Sequence, residues 1–148
     1  MIVPDVNLLV YAYDSTSPHH AAAARWWSEC LSREEPVGLA PVALFGFVRL
    51  TTNPRVFREP LTVGEAADLV RSWLAQPSAR VLDPSPDHVE EVLRLLVAVG
   101  TAGNLVTDAQ LAALAMEQDA VLHTSDADFV RIPGLKWKNP LDARRPAR

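Results

Sequence analysis

The stretch Ile2-Val3-Pro4-Asp5-Val6-Asn7-Leu8-Leu9-Val10-Tyr11-Ala12-Tyr13 decides the fold. Ile2 and Val3 open it as a short strand, and from Val6 onward the residues read as a helix. Asp5 stands at the junction, at the carboxyl end of the strand. Pro4 sits badly there: it has no N–H to give to a sheet ladder, so the strand must stop near it or run along an unpaired position.

Working outward, residues 15–18, Ser15-Thr16-Ser17-Pro18, read as a turn with Ser17 as N-cap and Pro18 in the first helical turn, leading into a helix over 19–31. After a break at 33–36, residues 37–40 form a second strand and 41–51 a helix, closed by Asn53-Pro54. Thr62 and Glu65 have capping-box spacing and start a helix over 62–75. Residues 79–82 are the next strand. Val89, Val92, Leu93, Leu96 and Val99 recur at helical spacing within 87–99, and 104–118 is a further helix. A strand at 120–123, a loop carrying Ser125-Asp126-Ala127-Asp128, and a short strand at 135–137 complete the pattern. Strands alternating with helices predict right-handed crossovers and a parallel sheet covered on both faces, an α/β fold. No internal repeat or long linker interrupts residues 1–141, which read as one domain, and 142–148 read as a loose basic tail.

Composition agrees. A 148-residue chain is one domain long and buries roughly 68–70% of its unfolded surface. With 49% hydrophobic and 22% charged residues, neither a disordered chain nor a fibrous repeat fits. No apolar run is long enough for a membrane span and no basic leader precedes Ile2, so a cytoplasmic protein is expected. Cys30 is the single cysteine, which excludes an intramolecular disulfide and a thiolate zinc site. The net charge of −4 confines any nucleic-acid contact to local basic stretches such as 55–58 and 136–148.

In open parallel sheets ligands bind beyond the carboxyl ends of the strands, where this reading places Asp5 and Asp126. Thr107 and Gln110 also have capping-box spacing, which makes Asp108 the first residue of its helix, at the positive end of the dipole. Singly, these acids are explained as helix caps and turn formers. Together, within about 4 Å, each pair would repel by roughly 4 kcal/mol at an effective dielectric near 20, and the cluster needs a cation or protons. Oxygen ligands without Cys or clustered His select hard ions, Mg²⁺ or Mn²⁺, and such an ion suits phosphodiester hydrolysis.

The chain resembles the PIN-domain proteins, specifically the VapC-type toxin ribonucleases. The resemblance runs from Met1 to about Leu141. It rests on Asp5-Val6-Asn7, on residues 47–57 (Phe-Val-Arg-Leu-Thr-Thr-Asn-Pro-Arg-Val-Phe), on residues 107–115 (Thr-Asp-Ala-Gln-Leu-Ala-Ala-Leu-Ala), and on Thr124-Ser125-Asp126-Ala127-Asp128-Phe129 followed by Pro133-Gly134-Leu135, in that order and spacing. It implies a three-layer α/β/α PIN fold with a short central parallel sheet. It also implies magnesium-dependent endoribonuclease activity on structured RNA such as tRNA or rRNA, homodimerisation, and inhibition by a cognate antitoxin. Carried over by position, Asp5, Asp108 and Asp126 match metal-binding acids, Asp128 a peripheral acid acting through water, and Asn7 and Thr124 supporting polar positions.

One position departs from that pattern. Where the middle helix usually offers Glu and, three residues later, Arg, this chain has Gly46 and Arg49, and no Asp or Glu lies between Pro36 and Arg58. Glycine within a helix costs about 1 kcal/mol relative to alanine, so Gly46 needs a reason, and close helix approach is the simplest. Arg49 is placed to meet a phosphate or to pair with Asp5 in the absence of metal. The missing acid motivates an alternative, a catalytically weakened PIN-fold module that binds RNA or protein. A phosphoryl-accepting regulator, suggested by an aspartate followed by Thr124 and Lys136, lacks the paired acids expected beside the first strand. His19, His20, His88 and His123 show no ligand spacing with the acids, and Trp26, Trp27, Trp73 and Trp137 read as core or interface residues.

Overall fold

Among residues 1–142, which the computed structural model describes, five short strands form one parallel sheet. They are β1 (Ile2–Pro4), β2 (Val37–Leu39), β3 (Ala79–Val81), β4 (Val121–His123) and β5 (Trp137–Lys138), in the order β3-β2-β1-β4-β5. Between them run α1 (Val6–Tyr13), α2 (His20–Ser32), α3 (Pro41–Thr51), α4 (Val63–Leu74), α5 (His88–Val99) and α6 (Leu105–Glu117), and a 3-10 turn (Ala127–Arg131) links β4 to β5. The α/β class and the three-layer α/β/α arrangement with a short central parallel sheet, both expected from the sequence, are present. Of the expected tail, residues 143–148 lie outside the described residues.

Side chains alternate across each strand, and this divides the core in two. Ile2, Val37 and Leu39 pack against Leu8, Leu9, Trp26, Trp27, Phe47 and Trp73 from the first four helices. Val3 and Leu122 point the other way, onto Val92 and Leu95 of α5 and the alanine-rich face of α6. Tryptophan thus serves packing, as expected: Trp27 and Trp73 meet edge-on at 5.5 Å, and Phe47 lies 4.7 Å from Trp73. Half-buried Trp137 packs on the α5–α6 side.

Pro4 is accommodated by direction. Ile2 N donates to Pro36 O on the β2 side, and Asp5 N donates to His123 O on the β4 side. By alternation the Pro4 nitrogen faces β2, and there the β1–β2 pairing goes no further than Ile2–Val37. On the β4 side the pairing continues through Pro4–His123. A proline in a central strand is therefore tolerated because only one edge of its residue is asked for a bond.

Several boundaries shift from the sequence expectation. The second helix starts at His20, because Ser17 Oγ accepts from His19 N and closes a turn ahead of the helix instead of capping it. The last strand lies at Trp137–Lys138, one residue on, held in register with Leu122 and His123. Thr62 and Glu65 form the expected capping box. At the far end of α5, Gly100 takes a left-handed conformation (φ 82°) and turns the chain towards α6.

The strand order locates the functional end. From β1 the chain builds outward through β2 to β3, then crosses back over the other face to add β4 beside β1. The order reverses between β1 and β4, so a crevice opens beyond their carboxyl ends. Phe47, fully buried between Tyr13 and Trp73, is a keystone of the larger helical layer. Phe47→Ala is expected to lower unfolding stability by about 4 kcal/mol and Phe47→Leu by about 1 kcal/mol, read from urea denaturation.

Candidate active site

Asp5 follows β1 directly and caps α1. Its Oδ1 accepts from Val6 N at 2.6 Å, and its Oδ2 accepts from Thr124 Oγ1 at 2.7 Å. The residue is 5% exposed. The capping role and the site role that the sequence left as competitors are thus held by one side chain. Thr124, fully buried after β4, also accepts at Oγ1 from Asp126 N (3.0 Å), while its own N donates to Lys138 O (3.0 Å). One hydroxyl therefore sets the positions of two acids. Asp126 in turn caps the 3-10 turn, its Oδ1 accepting from Asp128 N at 2.9 Å.

Asp108 enters from α6. The expected capping box at Thr107 and Gln110 is not formed: the helix begins three residues before Asp108, at Leu105, and Asn104 makes no side-chain cap bond. The reason lies upstream, where Leu105 N bonds Ala102 O and Val106 N bonds Gly103 O, so the chain is already coiling before Thr107. Asp108 still lies in the first turn, where the helix dipole favours its charge.

The electrostatics tie these acids together. Burial lifts the Asp5 carboxyl from its ordinary 3.8 to about 6, against the lowering influence of its two hydrogen bonds, and the charges of Asp108 and Asp126 add to the rise. Asp108 is raised as well, by burial first and then by Asp126 and Asp128. Exposed Asp128 acts on the cluster from its edge. Even so, among the described residues no three Asp, Glu, His or Cys side chains stand close enough to enclose a metal ion by themselves. The acids share one electrostatic field rather than one tight cage.

That arrangement fits a hard divalent cation which keeps several of its own waters. The donors are all oxygens and their charges repel one another; two residues on from Asp5, the Asn7 Oδ1 is buried and has no hydrogen-bond partner among the described residues. A carboxylate cluster that burial and mutual repulsion disfavour is a position at which positive charge is favoured.

Gly46 has the packing reason anticipated for it. A Cβ added there would lie 3.1 Å from Val6 Cγ2, so the glycine lets α3 close on the start of α1, next to Asp5. Arg49 is exposed and joins no ion pair among the described residues, so its suggested pairing with Asp5 is not made. Two of the histidines are locally bonded: buried His123 Nδ1 accepts from Trp26 Nε1 at 3.0 Å, and His88 Nδ1 meets Glu117 Oε1 at 2.8 Å. Burial pushes the Cys30 thiol up to about 11, which leaves it unreactive at neutral pH.

Asp5 carries a pH signature. Between 3.8 and about 6 the folded chain holds a proton on Asp5 that the unfolded chain has released, so this group's contribution to stability falls as pH rises through that window. Asp5→Asn is therefore expected to gain about 3 kcal/mol over the native protein near pH 8, a gain that fades as pH falls and is gone by about pH 4. Urea titrations across that range check it, and added Mg²⁺ should narrow the difference at the alkaline end.

The comparisons with known proteins agree on the family. A PIN domain family model matches residues 2–135. Ribonuclease VapC33 of Mycobacterium tuberculosis is 45% identical over 141 residues, which span 95% of this chain and 99% of that protein. The crystal structure of Mycobacterium tuberculosis VapC20, described as a sarcin-ricin loop cleaving toxin, superposes with a TM-score of 0.67 at 21% identity, covering 88% of this chain and 93% of that one. VapBC2 from Rickettsia felis, solved on a DNA fragment from its promoter, gives 0.66 at 19% identity, covering 94% and 98%. A buried strand-end aspartate, its threonine partner and the flanking acids thus sit in a chain that belongs to the PIN domain family, among the VapC ribonucleases.

Proposed function

We propose that this chain is a Mg²⁺- or Mn²⁺-dependent endoribonuclease, the toxin of a toxin–antitoxin pair, cutting structured RNA such as tRNA or rRNA in the cytoplasm. The observation that carries this reading is the buried, hydrogen-bonded Asp5 carboxylate, raised to about 6 and sharing its field with Asp108 and Asp126 at the point where the strand order reverses. The relatives' names support the activity, and the description of VapC20 supports a ribosomal or similarly folded RNA as target.

Asp5, Asp108 and Asp126 are the residues that would hold the ion, with Asp128 contributing from the rim. When bound, the ion supplies an acidified water and neutralises charge on the phosphate oxygens. The chain's own residues do the rest. Val6 N and Thr124 Oγ1 hold both Asp5 oxygens in fixed directions, and Thr124 sets Asp126 through its backbone N–H. Burial keeps water from the inner side of Asp5, and the raised affinity for a proton lets Asp5 take one up near neutral pH when no cation is present. Exposed Arg49, on α3, would supply a guanidinium to a substrate phosphate.

Two protein partners belong to the same proposal. A cognate antitoxin is supported by the likeness to a chain in the VapBC2 assembly. Homodimerisation is supported by an apolar stripe on α5, where Val89, Leu93 and Val97 are exposed one turn apart.

Purified protein is expected to cleave RNA when Mg²⁺ or Mn²⁺ is supplied, and Asp5→Ala to abolish it. Thr124→Val should lower activity about 10- to 100-fold, with Thr124→Ser restoring most of it because the hydroxyl is kept. Native protein that behaves like Asp5→Ala in this assay overturns the nuclease reading.

A second reading, a catalytically weakened module that binds RNA or protein, is favoured by Gly46, where the usual fourth acid is missing and an added Cβ would lie 3.1 Å from Val6 Cγ2, so that the valine would have to give way to a side chain there. In that case Gly46→Glu combined with Val6→Ala, which opens the contact, should turn an inert protein into an active one. Vigorous cleavage by the native chain excludes it.

A further inference from the structure

On the α2 side of the sheet, a groove of about 750 Å³ runs between that helix and the strands β1, β4 and β5. It is separate from the acid cluster but starts beside it. Its floor is formed by alternate residues of the strands, ending at His123, the residue before Thr124, and at Lys138, which is in register with His123 and whose carbonyl accepts from Thr124 N. Its wall is one face of α2.

Three features at this upper end look for an anion. His123 is 4% exposed, and because its Nδ1 accepts from Trp26 Nε1, the ring proton is placed on Nε2. Among the described residues Nε2 has no hydrogen-bond partner, and His123 is one of the residues that line the groove. Arg25, next to Trp26 on α2, and Lys138 also line the groove, and neither joins an ion pair among the described residues.

Two of the three acids of the same groove are paired with cations: Glu29 with Arg33 at 3.1 Å and Glu35 with the amino terminus at 3.5 Å. Asp142 accepts only from the neutral Asn139 Nδ2 at 3.1 Å, so among the described residues Arg25 and Lys138 outnumber the one acid of the groove that has no cation. A substrate strand crossing the catalytic acids brings a phosphate past this point every few ångströms, whereas an acidic peptide would have to approach the acids themselves.

We propose that Arg25, Lys138 and the His123 Nε2–H form a phosphate subsite that holds the RNA backbone next to the cleavage centre. The proposal rests on the nuclease reading above. It gives the chain, acidic overall, a local means of gripping a polyanion that the acid cluster would otherwise repel.

The test is binding of a fluorescent single-stranded RNA oligonucleotide to the full chain in EDTA, so that nothing is cleaved, with Arg25→Gln/Lys138→Gln beside the native protein. Both positions are exposed, and folding should be unaffected. The double variant is expected to bind about tenfold more weakly, with a salt slope lower by about 0.7 for each phosphate it no longer neutralises. With Mg²⁺ present, KM for RNA should rise while kcat at saturation holds. Unchanged affinity and salt slope overturn the subsite, even where the native protein cleaves RNA. So does a variant that loses affinity for a polyglutamate peptide but not for RNA. Absence of cleavage by the native protein, with the binding difference intact, counts against the nuclease reading and leaves the phosphate subsite standing.

Discussion

The Thr124 hydroxyl donates to the Asp5 carboxylate at 2.7 Å, across 119 positions of sequence and inside a seam where neither group reaches water freely. A hydrogen bond to a charged group contributes about 1.5–3 kcal/mol, and leaving a buried carboxylate without one costs more. The pairing of β1 with β4 is what makes that bond possible. Ile2, Val3 and Pro4 lie in register with Val121, Leu122 and His123, which carries the next residue of each strand, Asp5 and Thr124, to the same level. The same threonine then fixes Asp126, and Asp126 caps the turn that leads to β5.

This geometry works against the stability of the fold, and the raised proton affinity of Asp5 and Asp108 measures by how much. A shift from 3.8 to about 6 corresponds to about 3 kcal/mol of disfavour for ionised Asp5. Against a total of about 5–15 kcal/mol for a domain, that is a sizeable strain to hold in one place. It is offset by dry packing on both faces of the sheet, where the aromatic cluster of Phe47, Trp27 and Trp73 and the alanine-rich α6 close tightly over the strands. This disfavour, which comes from burial first and from the neighbouring charges second, prepares the crevice for a cation, since the folded chain has already met the cost of assembling and desolvating the acids.

Proximity to the site also explains residues that look anomalous in the sequence. Gly46 is a poor helix former, yet the space it leaves is filled by Val6, the residue whose N–H holds Asp5. Pro4 lacks a donor, and its nitrogen faces the side on which β1 has stopped pairing. His123 resembles a lone, unplaced histidine until Trp26 is found to fix its tautomer. In each case a rule of local structure yields to a constraint imposed by a neighbour distant in sequence.

The sequence by itself determined the α/β class, the alternation of strands and helices, and the acids that stand at strand ends and helix starts. These depend on periodicity and on residue types within a few positions of one another, and such short-range preferences are written into the chain directly. It placed the helix carrying Asp108 at 104–118, within a residue of α6, but offered a capping box at Thr107 that is not formed, because the turn at Ala102 and Gly103 has already started the coiling. Only the tertiary structure decided that Thr124 holds Asp5, that Val6 fills the space beside Gly46, and that Arg25 and Lys138 border one groove with His123. Those contacts follow from the order of strands in the sheet and the closeness of helices across it, and no local propensity encodes which distant residues a fold will bring together.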